Sequence, residues 1–257
     1  MTRTTIESWA DLQLAELFYA FRKAKADCYF ERSLFLAREF VEYEATLPDN
    51  LTSLLSRLQS GQIAEMLGEN LGVPRLVTKK LAVKPRVDGE KQPQGHGFFS
   101  NPQRAFQHLC ASSDLTPEFR LVGDFPVHMH VLSALWINLV GHKFDAKLSK
   151  SAYGSRLRRY RPEPGSPEGV LGKYHAEAIG SFQPYFGPYR KWRERGLKSI
   201  RDELSAERPV IAVTMDLASY YHRIDPAFMA NSKFHDYAGI ELTAWEKEFT
   251  LAFSDAM

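Results

Sequence analysis

The chain is poor in cysteine, with Cys28 and Cys110 alone among 257 residues. Two thiols cannot build a disulfide framework or a cysteine-rich metal site, and they fit a reducing cytosol. Long apolar runs are lacking too. The longest, VLSALWINLVG at 131–141, is far short of the roughly 20 residues a membrane helix needs. The N-terminus, MTRTTIESWADLQL, has no basic and then continuously apolar signal region, so a cytoplasmic chain without a membrane partner is expected. There is no internal repeat. Ser219 lacks the glycine-flanked elbow of a serine hydrolase. Gly-Ser-Pro-Glu-Gly at 165–169 follows no expected strand and matches no phosphate loop. What remains, 44% hydrophobic and 12% aromatic, is enough apolar material for a folded core of one or two domains.

Charge of one sign is nearly balanced by the other, at a net +2, but it is unevenly placed. Residues 1–70 carry a net −4, residues 71–201 a net +12 and residues 202–257 a net −6. The basic excess concentrates in RLVTKKLAVKPR (75–86), KFDAKLSKSAYGSRLRRYR (143–161) and YRKWRERGLKSIR (189–201), with Tyr153, Tyr160, Tyr189 and Trp192 among the charges. Basic side chains beside aromatics suit a phosphate backbone carrying unstacked bases. A solvated surface that offsets the acidic ends is the plainer reading of the same patches.

The first 70 residues read as helix. Ser8 and Asp11 resemble a cap, Leu14, Leu17, Phe18 and Phe21 follow at helical spacing, and Pro48, Asp49 and Asn50 break the pattern. Leu51, Leu54, Leu55 and Leu58 then mark a short amphipathic helix. Residues 75–86 favour extended structure, and the Gly-, Pro- and Gln-rich 87–103 favours a loop. Asp124 and Pro126 open a further helix, with Val127, Val131, Leu135 and Leu139 on one face and Gly141 as its stop. RPEPGSPEG at 161–169 reads as a linker.

His128 and His130 invite a metal-hydrolase reading, because His-x-His pairs bind zinc in some enzymes. On a helix, residues two apart point away from each other and cannot share one ion. His142, His175, His222 and His235 are scattered. Ordinary core or surface histidines are the expectation.

The most informative text is RPVIAVTMDLASYYHRIDPAFM (208–229). Residues 210–215 read as a short buried strand ended by Asp216, and Asp225 with Pro226 reads as the cap and first position of a helix. A carboxylate at the end of a strand can hold Mg²⁺ beside a phosphate. An exposed Asp at a strand end is the plain alternative.

This string resembles motif A of the reverse transcriptases, in the bacterial branch of group II intron, retron and defence-associated or abortive-infection enzymes. The resemblance implies that Asp216 is a catalytic metal ligand and that the Leu217 carbonyl helps hold Mg²⁺. It also implies that Ser219 and Tyr220 offer backbone N–H groups to a triphosphate. Tyr221 would be the gate that excludes a ribose 2′-OH. SAYGSRLRR (151–159), GSFQPYFGPYRKWRERGLKSIRDEL (180–204) and AELFYAFRKAKADCYFE (15–31) resemble elements that accompany motif A in the defence branch. Lys84 and Arg86 match the triphosphate contacts of the fingers, in a stretch that departs from the family's Lys-x-Gly-x-x-Arg. Arg156, Arg158, Arg159, Arg190, Lys191 and Arg193 are the expected nucleic-acid contacts.

A polymerase centre needs several carboxylates around two metal ions. The family draws the others from a Tyr-x-Asp-Asp hairpin, and this sequence has no adjacent Asp-Asp. Thr243 and Glu246 form a capping box, and Trp245, Phe249 and Phe253 make a stripe running toward Met257. The expectation is therefore an α+β chain: a helical leader (1–70), a basic fingers region (71–207) and the start of the palm of a right-hand polymerase (208–257). It would be a truncated reading frame of a longer enzyme or a split subunit with a partner subunit. The implied partners are an RNA template, a DNA primer or product, and dNTPs, and the implied role is anti-phage defence. The other class that fits the same patches is a non-catalytic nucleic-acid-binding module on a polymerase scaffold.

Overall fold

The computed structural model of the chain describes residues 6–30, 34–69, 72–86, 100–167, 170–217 and 223–255. They form helices and one small antiparallel sheet, an α+β composition. Two compact units emerge. One joins Met1–Leu71 to Pro126–Met257, and the other is Gly72–Phe125. Compactness thus groups residues 126–207 with the N-terminal helices. No helix among the described residues is long and apolar enough to cross a membrane.

The larger unit is built on two helices, α1 (Leu14–Phe30) and a later α6 (Val127–Trp136), which lie along one another. Leu17, Phe21, Ala24 and Cys28 recur at helical spacing on α1 and are buried. Val127, Val131 and Leu135 do the same on α6. The Phe21 ring meets Phe40 and Tyr43 of α2 (Leu34–Ala45) at centroid distances of 5.8 and 5.9 Å. Helix α3 (Leu47–Gln59) buries Leu51, Leu54 and Leu58, and α4 (Ile63–Glu69) adds Met66 and Leu67. The expected break falls at Thr46, between α2 and α3, and Pro48 interrupts neither helix. It sits in the first turn of α3, where its missing N–H has no intrahelical partner to lose.

Ser8 and Asp11 form the expected capping box, around a 3-10 turn at Trp9–Asp11. Trp9 packs edge-on against Trp245 and Phe249, each at 5.0 Å. Both belong to the last helix of the unit, whose own box is equally plain: Thr243 N donates to Glu246 Oε2 at 2.9 Å, and Glu246 N donates to Thr243 Oγ1 at 3.2 Å.

The helix that begins at Val127 departs from expectation at both ends. Its cap position is Pro126, while Asp124 ends a strand and ion-pairs with Arg75. Gly141 does not stop it. A π turn at Ile137–Gly141 carries the chain directly into α7 (His142–Lys147). Gly141 keeps right-handed φ of −58°, and a Cβ on it would stand 2.7 Å from the Trp136 ring. Close approach of an indole, and not a left-handed cap, is what the glycine serves.

The smaller unit is a hairpin of β1 (Val73–Pro85) and β2 (Ser113–Asp124), with α5 (Pro102–Ser112) leading into β2. The pairing Leu76↔Leu121 and Thr78↔Phe119 sets apolar side chains on one face, and Arg75↔Val122 and Val77↔Arg120 place both arginines on the other. Most of the expected loop at 87–103 lies outside the described residues, as do Glu168 and Gly169 of the linker-like stretch.

Candidate nucleic-acid interface

The second basic patch, 143–161, contains a single acid, Asp145. Asp145 sits on α7 with 6% of its side chain exposed. It accepts from Arg156 Nε at 2.8 Å, from Arg159 Nη2 at 2.7 Å and from the Leu157 backbone N–H at 3.2 Å. Burial pushes its carboxyl up, but the two guanidinium groups and the N–H outweigh that and hold it below the usual carboxylate range. Arg156 and Arg159 are therefore fasteners, with 13% and 11% of their side chains exposed. Their pairing with this acid sets them apart from the exposed arginines of the same basic patches.

The fastened segment doubles back on residues 174–183. Leu157 bridges Phe182 and Arg159 bridges Tyr174. Arg158 N donates to Ser181 O at 2.9 Å, and Gln183 N donates to Arg156 O at 2.8 Å. The turn is pinned to α1, because Ser181 N donates to both carboxylate oxygens of Asp27, at 3.0 and 3.2 Å. Burial raises Asp27, against the pull of the Ser181 hydrogen bonds. Gly180 enters this turn at φ +77°, and a Cβ on it would lie 3.0 Å from Asp27 Oδ1. Gly180→Ala is expected to lower stability by about 1–2 kcal/mol through the left-handed backbone alone. Gly187→Ala, in open space within a helix, is expected to be neutral or stabilising. Thermal unfolding of the two variants reads the difference in sign.

The same turn delivers residues 182–192 to the wall of a groove of about 1450 Å³. Tyr29 and Phe30 at the end of α1 form one side, with Tyr153, Arg158 and Phe182 nearby. The other side is the start of α8 (Phe186–Ser205), a helix with no buried residue. Along it Tyr185, Tyr189 and Trp192 make a ladder of rings, with centroids 5.2 and 5.7 Å apart and interplanar angles of 24° and 39°. Arg158 donates through Nε to Phe182 O at 2.7 Å, which fixes its guanidinium at the groove. Arg195 Nη1 donates to the Tyr153 hydroxyl at 3.1 Å, tying α8 to the Tyr-Gly element. Arg190, Lys191 and Arg193 are exposed on α8. The arrangement offers aromatic faces flanked by positive charge, which is what bases and phosphates of an unpaired strand need.

Lys84 lies exposed on β1 opposite Asp114, and Arg86 Nε ion-pairs with Asp114 Oδ1 at 2.9 Å, both in the smaller unit. The expected buried strand at 210–215 is not one. The segment carries no strand pairing, and Ile211, Val213, Met215 and Leu217 are 91%, 73%, 87% and 70% exposed. A strand exists only by exchanging backbone hydrogen bonds with a neighbour, and among the described residues the one sheet is β1 with β2. Asp216 is exposed on this segment. Ser219, Tyr220 and Tyr221 lie outside the described residues. Asp225 does cap, accepting from Ala227 N at 2.9 Å, but the element it opens is a 3-10 turn, Pro226–Ala230.

Two Mg²⁺ ions require several converging anionic ligands. Among the described residues no group of three or more His, Cys, Asp or Glu side chains could hold a metal ion. One carboxylate at Asp216 with the Leu217 carbonyl does not fit such a centre. His128 and His130 fall on α6 and go to different surroundings, His130 Nδ1 lying 3.8 Å from Cys28 Sγ while burial lowers the His128 pKa.

Sequence reasoning missed Asp27, Asp145, Phe182 and Tyr185. A lone acid among seven cations at 143–161 was a readable signal for Asp145. Asp27 had only its place four residues after Lys23. No family model, no curated protein and no solved structure matches this chain.

Proposed function

We propose that the chain holds single-stranded nucleic acid, as the fingers and first part of the palm of a reverse transcriptase of the defence-associated branch. The carrying observation is the Tyr185, Tyr189 and Trp192 ladder beside Arg158, with Arg190, Lys191 and Arg193 exposed on the same helix. Motif A and its three accompanying stretches support the polymerase part of the reading. In the complete enzyme a primer 3′ oxygen would attack the α-phosphate of a dNTP and release pyrophosphate, with Asp216 one of several carboxylates that would hold Mg²⁺. The groove's own work is binding: rings stack on bases, and cations meet the phosphates.

Fluorescence anisotropy with a labelled single-stranded oligonucleotide tests this. Each phosphate that no longer meets a cation reduces the slope of log affinity against log salt by about 0.7. Arg190→Gln, Lys191→Gln and Arg193→Gln together are expected to flatten that slope by about 2. A triple variant with an unchanged slope would exclude α8 from the interface. Purified chain is expected to incorporate no dNTP onto a primer with Mg²⁺ present, and measurable incorporation would overturn the division of labour.

The second reading, a non-catalytic binding module, draws on the exposed place of Asp216 in a segment that pairs with no strand among the described residues. Asp216→Asn in the full-length context separates the two. Loss of polymerisation with binding intact supports the enzyme, and unchanged biological activity supports the module.

A further inference from the structure

We infer that a second pocket in the larger unit binds a small phosphorylated molecule. It has a volume of about 570 Å³ and shares no lining residue with the aromatic groove. That size lies within the range of ordinary small-ligand sites. Lys143, Lys147, Arg159 and Lys173 line it against a single carboxylate, Glu241.

The four cations fall into two pairs. Lys143 Nζ is held by Glu246 Oε2 at 2.5 Å and by Glu241 O at 3.2 Å, and Arg159 is held by Asp145. These two are fixed in place before any ligand arrives. Lys147 and Lys173 are exposed, and among the described residues neither takes part in an ion pair. Counting Arg156 with the four, and the acids Asp145, Glu241 and Glu246, the neighbourhood keeps an excess of two positive charges. A phosphate monoester carries about −1.5 to −2 at pH 7, which matches that excess where a carboxylate would not.

Gly239 lies on the wall beside Lys147. The glycine ends the helix Ser232–Ala238 at φ +64°, and a Cβ on it would stand 3.4 Å from Lys147 Nζ. The remaining wall carries two aromatic rings and two apolar side chains. The rings of Tyr174 and His142 stack at 4.9 Å and 14°, beside Ala146 and Ile240. Tyr174 is fixed from behind, accepting from the fully buried Lys23 Nζ at 2.5 Å and donating to Asn138 Oδ1 at 2.7 Å. A ligand with phosphate at one end and a planar or apolar body at the other fits both parts.

Isothermal titration of the whole chain with phenyl phosphate, inorganic phosphate and benzoate tests the inference. Phenyl phosphate is expected to bind more tightly than either fragment. The double variant Lys147→Gln and Lys173→Gln is expected to weaken it at least tenfold with an unchanged unfolding temperature, since both side chains are exposed. Trp192→Ala, in the other site, should leave it unaltered. Absence of phenyl phosphate binding overturns the inference, as does binding that the double variant retains in full. Binding of a 5′-phosphorylated oligonucleotide alone, to the exclusion of phenyl phosphate, overturns it too.

Discussion

Asp145→Ala is expected to destabilise the larger unit by about 3–5 kcal/mol. The substitution removes one small side chain, so lost packing contributes little. The cost comes from what is left behind: Arg156 and Arg159, both nearly buried, lose the carboxylate that pairs with them, and the Leu157 N–H loses an acceptor. Urea unfolding reads the change as a shift in midpoint. A loss under 1 kcal/mol would mean that the pair behaves as surface charge. Asp145→Leu combined with Arg156→Met and Arg159→Met should recover most of the loss, because a matched apolar set replaces a buried ionic one at little net cost. Acid should act on the same network. The Asp145 carboxyl lies below the ordinary range in the folded chain, so its contribution is complete above the unfolded pKa of about 4. It fades as pH falls through the lowered folded value.

Local, periodic signals are legible in the sequence. The stripe of α6, the box at Ser8 and Asp11, the box at Thr243 and Glu246, and the cap at Asp225 each depend on residues within four positions of one another. The extended run at 75–86 is legible for the same reason. Illegible features depend on contacts that only the folded chain makes. Whether 210–215 becomes a strand is decided by a neighbouring strand, not by its own β-branched residues. Whether Gly141 ends a helix is decided by the Trp136 ring over it. Composition alone cannot distinguish an arginine that faces a phosphate from one that faces Asp145.

The site divides along the same line. Tyr153, Arg158, Tyr189 and Trp192 are legible because aromatics interleaved with cations form an unusual text, and the fold gathers them at one groove. Arg156 and Arg159 carry equal charge a residue or two away, yet their direction is set by α7. Alternation in 157–159 explains Arg158 and Arg159, while Asp145 draws Arg156 away from the side it would share with Arg158. On an extended segment neighbouring side chains point to opposite sides, so Arg158 turns to the groove as Leu157 and Arg159 turn inward.

Removing the ladder should therefore have the largest effect on binding. Tyr189→Ala with Trp192→Ala is expected to weaken single-stranded oligonucleotide binding at least about thirtyfold. Each base stacked on an aromatic side chain contributes about 1–3 kcal/mol, and two such losses at the low end amount to about 2 kcal/mol. Helix α8 itself should survive, since both rings are exposed and alanine is the strongest helix former. Circular dichroism checks that directly. The ring variant and the charge variant differ in kind. Loss of stacking lowers affinity by the same factor at every salt concentration, whereas loss of Arg190, Lys191 and Arg193 changes the salt slope. A ring variant whose deficit vanishes at low salt would show that Tyr189 and Trp192 only position neighbouring cations. A parallel shift across the salt series would place bases on the rings.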